Sequence, residues 1–126
     1  MIEANLVAEL KADAGVSALV GTRVYSAPMP EKAALPAVQW QLISNVPERV
    51  ASGTLNYRRA RFQVTTWAAD RLFAINVAAA VRACLDEWSD STTQVAWVSN
   101  EFDIYGNDFN PARHGRALDT IVVFKE

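Results

Sequence analysis

Ile2, Leu6, Leu10 and Ala14 recur every four residues, with Val7 beside them and Glu3, Glu9, Lys11 and Asp13 mostly elsewhere. Apolar positions at that spacing lie on one side of an α-helix, so the chain is expected to open with a short amphipathic helix. Gly15 is expected to end it, because a helix commonly closes on a left-handed residue that glycine adopts without steric cost. Residues 16–20 offer one more turn before Gly21, and Val24 and Tyr25 suggest a brief extended piece. Pro28, Pro30 and Pro36 then deny backbone donors, and residues 26–36 read as a connecting loop.

The period changes at residue 37. Val38, Trp40 and Leu42 alternate with Gln39 and Gln41, the mark of a half-buried strand. Residues 45–55 contain Pro47, Glu48, Arg49, Ser52 and Gly53 and show neither period, which predicts a long hairpin loop. The clearest strand follows: Ala60, Phe62 and Val64 fall on one side, and Arg59, Arg61, Gln63 and Thr65 on the other. Asp70 is a plausible N-cap for a second amphipathic helix whose stripe is Phe73, Val77, Ala80, Val81, Cys84 and Trp88. Its alanine content suits close packing on a sheet. Residues 93–105 return to extended character through Val95, Trp97, Phe102 and Ile104, residues 106–115 are polar and irregular, and residues 116–125 close the chain as a strand. Within that strand residues 121–124 are apolar throughout, which predicts cover on both sides, by the fold on one and by a partner on the other.

The predicted order is helix, strand, strand, helix, strand, strand. Hairpin-joined strands favour antiparallel pairing, so the expectation is an α+β fold with a four-stranded, mainly antiparallel sheet and two helices packed on one face. At 126 residues the chain fits one domain over residues 1–126. A chain of that size buries roughly 65–70% of the surface its unfolded form exposes, enough for a core without staples.

Charge and residue types narrow the chemistry. One cysteine and one histidine cannot build a disulfide framework or a Cys/His zinc site within one chain. A net charge of -2 argues against a protein that coats nucleic acid or an anionic membrane. The longest apolar block, residues 77–81, is far short of the roughly 20 residues of a membrane helix. No basic segment leads into an apolar run after Met1, so a soluble, intracellular product is expected.

His114 sits in a loop-like NPARHGR stretch with no Gly-x-Ser-x-Gly elbow to present a nucleophile, and reads as a surface residue. Cys84 lies on a buried stripe, where a thiol behaves as a small hydrophobe. Glu101, Asp103, Asp108 and Asn110 gather near one strand end, yet counting from Asp103 puts Tyr105 third and Asp108 sixth, where a calcium loop needs an oxygen ligand and a glycine. A solvated turn accounts for them better. The five glycines are scattered, and none builds a phosphate loop. No catalytic, metal or cofactor site is expected.

Two features remain. Arg58, Arg59 and Arg61, with Arg49 nearby, are the main basic concentration. The plain reading is the solvent face of a strand; the functional one is that planar guanidinium forks pair with carboxylates of a neighbouring subunit. Direct base reading is weaker, since no aromatic residues interleave with the arginines. The second feature is four tryptophans in a small chain, Trp40, Trp67, Trp88 and Trp97. Tryptophan is enriched at interfaces because it buries much area while keeping a polar handle, and with the apolar end strand it points to self-association.

The order of segments is itself informative. An opening helix, VSALVGTRVY (16–25), a Pro-rich link, LPAVQWQLIS (35–44), a Gly-containing loop, RARFQVTTWA (59–68), an alanine-rich helix ending VRACLD and a closing RALDTIVVF (116–124) together resemble the phage tail completion or tail terminator family of long-tailed phages and prophages. The resemblance covers nearly the whole chain through hydrophobic and turn patterns, not through a catalytic signature. It implies a structural virion protein, not an enzyme, made in the bacterial cytoplasm and placed at the head-proximal end of the tail. It also implies a ring of identical copies, usually a hexamer, that stops polymerisation of the tail tube and offers a surface to the head-tail connector. The implied partners are thus the protein itself, the tail tube protein and the connector, with no sequence-specific nucleic acid and no membrane.

A ring needs a head-to-tail interface that closes under rotation. The residues best suited to a subunit or tube interface are Arg49, Arg59, Arg61, Ile121 and Val123, and the 45–55 loop is long enough to reach a neighbour. On this reading Arg61→Glu leaves the fold intact and weakens assembly. A competing reading is a dimeric ligand-binding or regulatory α+β domain with Trp40 or Trp97 lining an apolar pocket. A third is an enzyme using an unrecognised carboxylate pair.

Overall fold

The computed structural model describes residues 1–50, 53–106 and 112–125, with the backbone alone at 49, 50 and 53–55. In chain order the elements are α1 (Ile2–Ala12), α2 (Ala14–Val20), β1 (Val24–Ser26), β2 (Ala37–Val50), β3 (Gly53–Ala68), α3 (Arg71–Asp86), β4 (Thr93–Gly106) and β5 (Arg113–Lys125). The strands form one sheet in the order β1-β2-β3-β5-β4. All neighbours are antiparallel except β1, which runs parallel to β2.

The α+β class is as expected, but the element count differs: three helices and five strands replace two and four. The opening helical pattern is two helices because Asp13 takes an extended conformation and its side chain accepts from the Val16 N–H at 3.0 Å. The break is therefore made by an N-cap, and Gly15 lies inside α2 rather than ending α1. Gly21, at φ 59°, is the residue that closes α2 in the left-handed region. The extra strand is the brief extended piece at Val24 and Tyr25, aligned with Val38 and Gln39 of β2.

The largest correction concerns residues 45–55. They are not a long loop: β2 runs to Val50 and β3 starts at Gly53, with Arg49 opposite Thr54 and Val50 opposite Gly53. The alternation is hidden in the sequence because the pairing is twice interrupted: an extra β2 residue between Leu42 and Ser44 exchanges which side the following residues face, and between Pro47 and Arg49 two steps of β2 stand against four of β3. Similarly, the irregular stretch predicted over residues 106–115 is shorter, since β4 includes Gly106 and β5 begins at Arg113; residues 107–111, with Asp108 and Asn110, lie outside the described residues.

One face of the sheet is covered. Ala60, Phe62 and Val64 of β3 and Leu118, Val122 and Phe124 of β5 are buried in one cluster with Ile2, Leu6 and Leu10 of α1, Val16 and Val20 of α2, and Val77, Ala78, Val81 and Leu85 of α3. Ala74 and Ala78 are the buried small residues that let α3 lie close to the strands, and the Thr66 hydroxyl donates to the Ala74 carbonyl at 3.1 Å. Asp70 caps α3 as expected, accepting from the Phe73 N–H at 2.8 Å.

The turn from α3 into β4 is tied by Asp90. One carboxylate oxygen accepts from the backbone N–H groups of Thr92 and Thr93 and from the Thr92 hydroxyl, and the other accepts from the buried Trp88 indole at 2.9 Å. The Thr93 N–H, aided by the Trp88 and Thr92 donors, holds this carboxyl down to about 2. On the opposite sheet face a second small cluster forms where Met29, Ala33 and Leu35 of the Pro-rich link fold over Ala37 and Trp67. The Trp67 ring also lies over Gly115, where an added Cβ would meet ring carbons at 2.9–3.2 Å.

Gly115→Ala is thus expected to lower stability by about 1–3 kcal/mol through overpacking, read as a lower Tm with altered tryptophan fluorescence. Because the folded carboxyl of Asp90 sits at about 2 against an ordinary 3.8, its contribution is complete above the ordinary value and is lost as pH falls through about 2. Urea titrations from about pH 6 downward should show wild type losing its advantage over Asp90→Asn across that window, whereas a constant difference would remove Asp90 from the acid response.

Candidate functional interface

Strand parity decides which predicted interface residues meet. β3 pairs with β5 so that Arg59 is opposite Val123 and Arg61 opposite Ile121. Four of the five predicted residues are therefore direct cross-strand neighbours on the face away from the helices. The fifth, Arg49, belongs to β2 opposite Thr54; its side chain lies outside the described residues. The expectation of an end strand covered on both sides resolves into two sets: Val122 and Phe124 are buried under the helices, while Ile121 and Val123 are half-buried on the open face.

The arginines on this face have partners within the chain. Arg61 forms a fork with Asp119, Nε to Oδ1 at 3.2 Å and an Nη to Oδ2 at 2.6 Å, and this hydrogen bond raises the guanidinium further above its ordinary value. Arg59 donates to Glu48 at 2.7 Å and lies over the Trp97 ring at 5.7 Å. Arg58, opposite Phe124 and so on the helix side of the sheet, donates to the Asn45 side chain at 2.8 Å and to its carbonyl at 3.0 Å. The cluster consequently presents neutralised, ordered guanidinium planes and not loose positive charge.

Sequence reading placed Val95, Trp97, Phe102 and Ile104 on one strand and counted Trp97 toward self-association, but did not bring them onto this face. Val95, Trp97, Phe102 and Ile104 of β4 and Val46 of β2 lie on the same side, as their register with Val123, Ile121, Ala117, Gly115 and Arg59 requires. The change from odd to even numbers between Trp97 and Phe102 is the signal, and the register shift between Val98 and Asn100 is its cause. The face is mixed: Val46, Val95, Trp97, Phe102, Ile121 and Val123 are apolar, while Gln41, Gln63, Asp119 and Asn100 form a polar row across it, with Ser44, Thr65, Gln39 and the arginine pairs beside them.

Other candidate chemistry is placed as follows. Glu101 and Asp103 are not in a solvated turn; they stand on β4 and pair with Arg71 and Arg82 of α3 and Arg116 of β5. Arg71 holds the Asp103 carboxyl below the usual range. These exposed pairs fasten α3 to the sheet at modest gain each. Among the described residues no group of three or more His, Cys, Asp and Glu side chains is arranged to hold a metal. His114 is on β5, not in a loop, with its ring 4.9 Å from that of Tyr105 opposite it. Cys84 is buried, and burial with nearby Asp13 and Glu9 pushes its thiol up to about 12.

Three surface hollows of about 310, 300 and 170 Å³ are defined by described residues, and neither Trp40 nor Trp97 lines any of them. Trp40 instead packs edge-on against Phe62, with ring centroids 6.2 Å apart. No helix among the described residues is long and apolar enough to cross a membrane.

The structure changes the expected effect of reversing Arg61. Asp119 is itself buried, so Arg61→Glu sets a second carboxylate beside it. The variant is expected to melt below Arg61→Ala, and the Arg61→Glu, Asp119→Arg double variant to recover stability; thermal melts of the three proteins check this.

The family described as "Tail completion protein gp17" matches residues 4–120. Among solved structures, a chain of "Virion of native gene transfer agent (GTA) particle" shares the fold with a TM-score of 0.75 at 21% identity, covering 96% of this chain and 92% of that one. No curated protein matches.

Proposed function

The chain belongs to the tail completion protein family and is a structural protein of the phage virion tail, and on that premise we propose that it closes the head-proximal end of the tail tube as a ring of identical copies. In this role it ends tube polymerisation and presents a surface to the head-tail connector. Six copies is the number that the family resemblance suggests. The reading is supported by a chain of the same fold in a phage-like virion particle. What carries it structurally is the sheet face left bare of helices, where Ile121, Val123, Trp97, Val95 and Phe102 form an apolar surface around the Arg61–Asp119 and Arg59–Glu48 pairs.

A bare apolar face is costly in water and useful against another protein. Charged pairs already satisfied within the chain add little repulsion when covered, since each arginine carries its own counter-ion into the contact. The face thus suits burial against the tube end, with Arg59 and Arg61 orienting the contact and Ile121 and Val123 supplying apolar area.

Purified protein added to growing tail tubes should stop their elongation and appear in negative stain as a cap at one end only. Replacing Ile121 and Val123 together by Gln should leave circular dichroism unchanged and abolish capping. Tubes that keep growing with undecorated ends in the presence of wild-type protein would overturn the proposal.

A further inference from the structure

The open face carries a row of polar side chains that runs across the strands. Gln41 is opposite Gln63, Gln63 opposite Asp119, and Asp119 opposite Asn100, one residue from each of β2, β3, β5 and β4. At about 4.8 Å between neighbouring strands the row is roughly 14 Å long. Asp119 is committed to Arg61, whereas the amides of Gln41, Gln63 and Asn100 take no side-chain partner among the described residues. Gln41 and Asn100 are exposed. A primary amide offers donors and an acceptor without net charge. Apolar side chains flank the row on both sides, Val46, Val95 and Val123 toward the hairpin and Phe102 toward the Pro-rich link.

The charges within this face are settled inside the chain. Arg59 is held by Glu48 and Arg61 by Asp119, so a partner carboxylate brought to Arg61 would meet the carboxylate of Asp119, and a partner ammonium brought to Asp119 would meet the Arg61 fork. Covering either newcomer without a counter-ion of its own carries a large desolvation cost. The remaining charges of the face stand at its margins. By its register Lys125 lies at the hairpin end, opposite Tyr57, and Arg113 is buried at the other end over the Trp67 ring. What the middle of the face leaves to be satisfied is apolar area and amide hydrogen bonds, and uncharged groups satisfy both.

We infer that the partner surface on the tube end is uncharged where it meets this face, built of apolar side chains with hydroxyl, amide or backbone groups set against Gln41, Gln63 and Asn100. The apolar flanks supply area, and the amides fix the partner's position, since an amide covered without a hydrogen-bond partner is destabilising. The contact is consequently insensitive to ionic strength, unlike one steered by charge. The occupant is the tube and not a second copy, because like faces meeting about a twofold axis close as a pair and leave nothing for the tube. This inference rests on the capping role proposed above.

Co-sedimentation of the protein with purified tail tubes in about 50 mM and about 500 mM sodium chloride tests it. The dissociation constant is expected to rise by less than about threefold, where a contact built on several charge pairs loses about tenfold or more. Gln41→Glu and Gln41→Lys extend the test, with circular dichroism showing that both fold. An uncharged partner penalises either sign, so both variants are expected to bind about tenfold more weakly, each burying a charge without a counter-ion. A gain from one sign and a loss from the other would overturn the inference by revealing a charged partner, as would a larger loss of wild-type binding in salt; the capping role would stand in either case. Unchanged binding by both variants would take the amide row out of the contact and overturn it too. A wild-type dimer in sedimentation velocity that Gln41→Lys dissociates would give the face to a second copy instead. Wild-type protein that binds tube ends at neither salt concentration would remove the capping role together with this inference.

Discussion

The antiparallel ladder between β3 and β5 is the constraint on which the other features depend. Its twelve register pairs run unbroken from Tyr57–Lys125 to Ala68–His114 at the centre of the sheet. Side chains alternate strictly along such a ladder, so a slip of one residue would exchange the two faces. With Phe62, Val64, Leu118 and Val122 directed at the helices, Arg59, Arg61, Ile121 and Val123 have no choice but the opposite side. Core and interface are thus two consequences of one register.

The distribution of helices reinforces that division. All three pack on a single face, and only the Pro-rich link crosses to the other, where it shelters Trp67 at one end and leaves the middle bare. A sheet so covered is stable without a partner on its second face, because its apolar core is complete. The remaining apolar surface is then available for assembly. The pairing of Arg61 with Asp119 and of Arg59 with Glu48 fits the same division: charges near the sheet centre are settled within the chain.

How much of this was legible differed by element. β3 and α3 were readable because their periods are uninterrupted, and Asp70 was readable as a cap because an acidic residue before an amphipathic stripe has few other uses. The hairpin arm at residues 45–50 and 53–55 was not, because Pro47 and two register shifts erase the alternation that identifies a strand. β1 is three residues long and gains its identity only from its parallel alignment with β2. The fate of Asp13 against Gly15 was a choice between two helix punctuators two residues apart, and the Val16 hydrogen bond decided it. Arg59, Arg61, Ile121 and Val123 were readable as candidates, but Val46, Val95, Trp97 and Phe102 were separated from them by shifted parity.

By itself the sequence determined the α+β class, the central strand, the principal helix and the family, since these rest on local periodicity and on the order of segments along the chain. Tertiary structure alone decided which arginine meets which carboxylate, which apolar residues share the open face, and where the sheet ends. Those outcomes depend on register between strands distant in sequence, a property of pairs of segments that no single segment encodes.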